Sequence, residues 1–117
     1  TVAHDNHNII AVGVDDASIV KAINAVIATS GGIAVCDNDT LEIMPLPVAG
    51  IISTETLDEV AELYKKLHNM AKELGSTLVS PFMTLSFMAL TVIPELKISD
   101  KGLFDVAKFD FTDLFYV

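Results

Sequence analysis

A chain of 117 residues is one domain by length, long enough to bury roughly two-thirds of its unfolded surface around a single core. Sixteen acidic residues face seven lysines and no arginine, a net charge of -9 that argues against nucleic acid and anionic membrane surfaces as partners. Half of the residues are hydrophobic, yet charges, glycines and prolines break every apolar run short of the roughly 20 residues that span a bilayer, so a soluble protein is expected.

Thr1 is not an initiator Met, and the opening residues have neither the basic start nor the apolar run of a signal peptide, so the chain reads as cut from something longer. "AHDNHN" places His4, Asp5, His7 and two asparagines at its head. On a strand the two histidines point to opposite faces while Asp5 and His7 share one, roughly 7 Å apart. That spacing suits an oriented Asp–His pair, in which the carboxylate fixes the imidazole tautomer for a ligand or a water. The competing reading is a strand bend where Asp5 and the asparagines satisfy backbone groups. A metal site needs a third or fourth ligand, and the remaining histidine, His68, lies far along the chain, so no metal is expected here.

Asn8 to Val14, "NIIAVGV", is a β-branched run that predicts a buried strand, ending at Asp15 and Asp16 as a helix N-cap. Ile19, Val20, Ile23, Val26 and Ile27 then recur at helical spacing up to Gly31 and Gly32, a C-terminal stop. With only Lys21 and Asn24 on its polar side, this helix should be covered on more than one face. Ile33 to Cys36 and Leu41 to Met44 flank a polar turn and predict a hairpin, closed by Pro45 and Pro47. Cys36 reads as a buried strand thiol, and its solitary state fits a reducing compartment, the cytoplasm.

Ser53 is positioned to cap a long helix with Glu55, Asp58 and Glu59 in its first turn. Leu57, Val60, Ala61, Tyr64, Leu67, Ala71 and Leu74 form its apolar face before Gly75, and Glu62, Lys65, Lys66, Asn69, Lys72 and Glu73 its wet one. His68 falls at the boundary. A short buried helix is expected over Phe82 to Leu90, where Thr84 and Ser86 either line a pocket or bond to their own backbone. Lys97 to Ile98 and Leu103 to Val106 predict a strand pair around "SDKG", and "KFDFTDLFYV" an edge strand or docked tail. The fold class is therefore α+β, a small mixed or antiparallel sheet packed with two to three helices as an α/β sandwich. No nucleophile elbow, phosphate loop, CxxC or HExxH is present.

"TVAHDNHNIIAVG", "PLPVAGIIS" and "PFMTLSFMALTVIPELKISDKGLFDV", in this order and at these intervals, carry a resemblance. From Thr1 to about Val106 the chain resembles the C-terminal domain of bacterial adenine deaminases of the amidohydrolase superfamily. The resemblance implies hydrolysis of adenine to hypoxanthine and ammonia by a metal-bound hydroxide, with manganese- or iron-type divalent ions held in a (β/α)8 barrel. That barrel and its metal-binding histidines are absent from these 117 residues, so residues 1–117 would be a truncated C-terminal domain, inactive alone. His4, Asp5, His7 and Asn8 match the family's polar motif, with Asn6 where a serine is common, and Pro81, Met83, Thr84, Ser86 and Phe87 match the later segment. The resemblance implies that the polar loop faces the barrel mouth, helping to close the adenine pocket, with Met83, Thr84 and Ser86 as substrate-side candidates. It also implies the barrel as partner and a homo-oligomer. A free-standing α+β small-molecule binding or oligomerisation module is the alternative, and an independent metal hydrolase on His4, Asp5 and His7 a third.

Overall fold

A computed structural model describes residues 1–3 and 5–115. Asp15 opens the first helix, α1 (Asp16–Ala28), by accepting a hydrogen bond from the Ser18 amide at 2.8 Å. That bond holds the Asp15 carboxyl below the usual carboxylate range, and an acidic group is well placed at a helix N-terminus. Ser30, not a glycine, takes the left-handed position after the helix (φ 60°). The chain then enters β1 (Gly32–Cys36), which pairs antiparallel with β2 (Leu41–Pro45), so the expected hairpin is present.

Register decides the layering. Ile33 pairs with Met44 and Val35 with Glu42, so these four side chains share one face, while Ala34, Ile43, Cys36 and Leu41 share the other. The long helix α2 (Leu57–Glu73) covers the first face: Val35, Met44, Leu46 and the fully buried Leu67 form the core, with Val60, Leu63, Tyr64 and Met70 around it. Lys66 reaches Glu42 at 2.6 Å across the rim. Helix α1 packs on the opposite face, burying Val26. The hairpin is thus the middle layer of a three-layer α/β sandwich.

Thr56, rather than Ser53, caps α2. Its hydroxyl accepts from the Glu59 amide, and the Glu59 carboxylate accepts from both the Thr56 hydroxyl (2.7 Å) and the Thr56 amide (2.9 Å), a reciprocal capping box. The apolar face is rotated slightly from the expected one. Leu63 and Met70 pack inward, whereas Leu57, Ala61 and Leu74 are exposed.

Helix α3 (Pro81–Phe87) is shorter than predicted. It docks on α2 through an edge-to-face pair of Phe82 and Tyr64, with centroids 5.7 Å apart. A second antiparallel sheet follows, β3 (Leu96–Ser99), β4 (Gly102–Asp105) and β5 (Asp110–Phe111), in which the tail forms the predicted edge strand. Phe104 stacks edge-on against Phe109 and Phe111 there. The strands thus fall into two separate antiparallel sheets.

Two expectations are corrected. Asn8 to Val14 is not a strand: it makes no ladder among the described residues, and Val12 and Val14 face solvent. Nor is α1 covered on a second side, since Val20 and Ile27 are exposed. The β-branched pattern predicts burial, and the described residues supply no partner element that would provide it.

One close approach ties the layers. Gly31 (φ 128°) lies against Gly50, and a Cβ there would collide with the Gly50 Cα and sit 2.8 Å from Thr1 Oγ1. Thr1 is wedged beside both: its nitrogen donates to the Gly32 carbonyl at 2.9 Å, its hydroxyl accepts from the Gly32 amide at 3.0 Å and donates to the Gly50 carbonyl.

Gly31→Ala is therefore expected to cost about 2 kcal/mol or more in urea unfolding, combining a forbidden backbone angle with overpacking. Gly75→Ala, at φ 102° with no atom within 4 Å of the added carbon, should cost clearly less. Equal losses would refute the contact argument.

The Glu59 carboxyl lies below its ordinary value of 4.5, chiefly because it accepts from the Thr56 hydroxyl and secondly from the Thr56 amide. A depressed folded-state value stabilises above the ordinary range and loses that contribution as the pH falls through it. The stability deficit of Thr56→Ala should accordingly shrink between about pH 6 and about pH 3 in thermal melts.

Candidate functional site

The polar loop is a turn, not a strand. Ala3 is buried at its base, and the His7 amide donates to the Ala3 carbonyl at 2.8 Å, closing the turn. Asp5 (φ 62°) and His7 (φ 47°) both adopt left-handed backbone angles, unusual for residues with a Cβ. Angles of this kind cost on the order of 1 kcal/mol each and persist where neighbouring structure holds them.

Asn6 supplies that hold. Its Nδ2 donates to the Ala89 carbonyl at 2.8 Å, a bond spanning 83 positions in sequence, and Ala89 is itself fully buried. The loop is thereby pinned to the turn that follows α3. That turn is pinned in its own right, since the Ile98 amide of β3 donates to the Met88 carbonyl at 2.9 Å. The first and last of the three segments that carry the resemblance are thus adjacent in space.

The side chains of Asp5 and His7 are exposed and enter no hydrogen bond or ion pair with each other or with any other described residue. Asn8 is half-buried, and its Oδ1 is buried without a hydrogen-bond partner among the described residues. His4 was a further candidate and lies outside the described residues. The oriented Asp5–His7 pair inferred from strand spacing is not formed, because two left-handed residues replace the flat strand that the spacing assumed.

On α3, the Thr84 hydroxyl donates to the Ser80 carbonyl at 2.8 Å and Ser86 to the Met83 carbonyl at 2.7 Å. Ser86 is buried, Met83 and Thr84 are exposed. Both hydroxyl protons are therefore spent on the helix backbone, leaving only oxygen lone pairs for another group.

Lys97, which no motif singled out, is 6% exposed on β3, while its neighbours Leu96 and Ile98 point to solvent. Its Nζ donates to the Pro94 and Leu96 carbonyls, each at 3.1 Å, and no carboxylate lies within ion-pair reach among the described residues. The pattern Leu-Lys-Ile would place the lysine outward, so alternation gave no signal for it. Among the described residues no group of three or more His, Cys, Asp or Glu side chains converges to hold a metal ion. No helix is long and apolar enough to cross a membrane among the described residues.

These features define a class: an α+β domain that carries a strained, exposed polar loop pinned to a second motif, with no metal cluster of its own among the described residues. The chain matches the model of the adenine deaminase C-terminal domain over residues 1–110 and belongs to that family. It is 56% identical over 115 residues to the adenine deaminase of Methanosarcina mazei, covering 98% of this chain and 21% of that protein. To those of Sulfurovum sp. and Salinibacter ruber it is 54% and 50% identical, over 97% and 98% of its length and again 21% of theirs. The chain thus spans about a fifth of the length of the curated relatives it matches. No solved structure matches it.

Removing the tether with Asn6→Ala should cost about 1 kcal/mol, the ordinary worth of one such bond. It should also raise amide exchange at Asp5 to Asn8 while α2 remains protected. Unchanged exchange in the loop would show that the Ala89 bond does not hold it.

Proposed function

We propose that this chain is the C-terminal domain of an adenine deaminase, which converts adenine and water to hypoxanthine and ammonia in purine salvage. The catalytic barrel lies outside these residues. The family match and the relatives' shared name support the reaction. The anchored loop supports a role at the active site, because polar groups with unspent hydrogen-bonding capacity on a pinned backbone are what a pocket wall needs.

In this reading the loop packs over the barrel mouth. His7 and Asp5 present an imidazole and a carboxylate to the purine or to the residues around it, and Asn8, its carbonyl oxygen buried and unpaired, stands behind them. His4 belongs to the same motif. Met83, Thr84 and Ser86 form the neighbouring wall, contributing thioether surface and oxygen acceptors. The divalent metal, of the manganese or iron type, is held by the barrel, and this chain's described residues offer no cluster of side chains that fits it. A cytoplasmic homo-oligomer that binds neither nucleic acid nor membrane completes the reading.

A free-standing binding module is the rival. The experiment that separates them is kinetic. In the full-length enzyme, His7→Ala should lower adenine turnover at least tenfold, roughly 1.4 kcal/mol of transition-state stabilisation, with the fold and metal content intact. Wild-type kinetics in that variant would reduce the loop to scaffolding.

A further inference from the structure

The segment Asn8 to Val14 has the composition of a strand and the environment of none. Among the described residues, no backbone N–H or C=O between Asn8 and Val14 enters a hydrogen bond. Ile9, Val12 and Val14 are 36%, 78% and 103% exposed. Seven consecutive residues therefore carry open backbone groups beside bare β-branched side chains, a combination that folded proteins resolve by pairing.

The side-chain order says what kind of pairing. Extended, the segment would place Ile9 and Ala11 on one face and Ile10, Val12 and Val14 on the other, so both faces are apolar. A strand that faces water on one side alternates apolar with polar residues, whereas one covered on both sides is apolar throughout. Both ends are already fixed. Asn8 follows the loop pinned to Ala89, and Asp15 caps α1; at the far end Gly13 lies so close to α1 that a Cβ there would fall 2.6 Å from Ile19 Cγ1. A segment held at both ends loses less freedom on pairing than a free tail.

We infer that Asn8 to Val14 is an interior strand of a sheet completed by the remainder of the deaminase polypeptide. This rests on the reading of the chain as one domain of a longer enzyme. About four-fifths of each relative's length lies outside the region this chain matches, ample to supply neighbouring strands and the layer that covers them. A second copy is the poorer occupant, since each copy brings a net charge of -9 and two adjacent acids, Asp15 and Asp16, at the strand's end. The consequence reaches the loop. Pairing would fix the backbone one residue past His7, so the polar turn would sit at the seam between this domain and the rest of the enzyme.

Hydrogen exchange in the full-length enzyme tests the pairing without any substitution. Amides from Ile9 to Val14 should be protected by a factor on the order of 100 or more. Exchange at the rate of an open chain overturns the inference. The occupant is then identified by placing the photocrosslinker p-benzoylphenylalanine at Val12. Adducts to peptides of the same polypeptide outside the matched region support it, and adducts between subunits, or only within residues 1–117, overturn it. Protection with unchanged His7→Ala kinetics would sink the pocket-closing function and leave the strand standing, while open exchange with impaired His7→Ala kinetics would do the reverse.

Discussion

Two glycine backbones in contact, Gly31 against Gly50, set the geometry on which the rest of the molecule hangs. Gly31 joins α1 to β1, and Gly50 lies in the turn between β2 and α2, so their contact fixes how the two helices approach the hairpin from opposite faces. Thr1 occupies the notch beside them, satisfying backbone groups of Gly32 and Gly50 with a single side chain. From that foothold Val2 reaches the main core and Ala3 is buried. The polar loop then emerges at a defined place. No residue with a Cβ fits at Gly31, which makes this contact a constraint of shape rather than of attraction.

Elements whose signals are local were legible in the sequence, and those decided by distant partners were not. The hairpin announced itself through two β-prone runs about a polar turn, and α2 through its 3.6-residue period. Its cap lies three residues beyond Ser53, at Thr56, where "TLDE" carries the Thr-x-x-Glu signature. The stretch from Asn8 to Val14 carries a strand's composition, but whether a strand forms depends on neighbours, and the described residues supply none.

The loop divides along the same line. His7, Asp5 and Asn8 were visible as a cluster of chemical groups, and the structure exposes two of them. Asn6, which stands where a serine is common in the motif, forms the hydrogen bond that pins the loop, through a donor that a serine hydroxyl is too short to place at the same reach. Lys97 shows the limit from the other direction. Alternation puts it outside, and instead its ammonium is held inward by two carbonyls while leucine and isoleucine take the wet face. A buried cation without a carboxylate partner is tolerated only where fixed dipoles replace water, and the carbonyls of Pro94 and Leu96 do so.

Rigidity in the loop then has a physical explanation that does not depend on which group it meets. Two left-handed residues hold an unfavourable backbone in place, and the Ala3 and Ala89 bonds offset that cost. A flexible turn could satisfy the same backbone groups with fewer contortions. Holding the backbone of Asp5 and His7 in one arrangement removes part of the entropy that ordering the loop on contact would otherwise consume, which helps where something is to be met at a fixed position. The chain spans about a fifth of its relatives' length, and in the proposed reading that something belongs to the rest of the enzyme. The open segment and the loop are consecutive in the chain, so a partner that ordered the first would register the second.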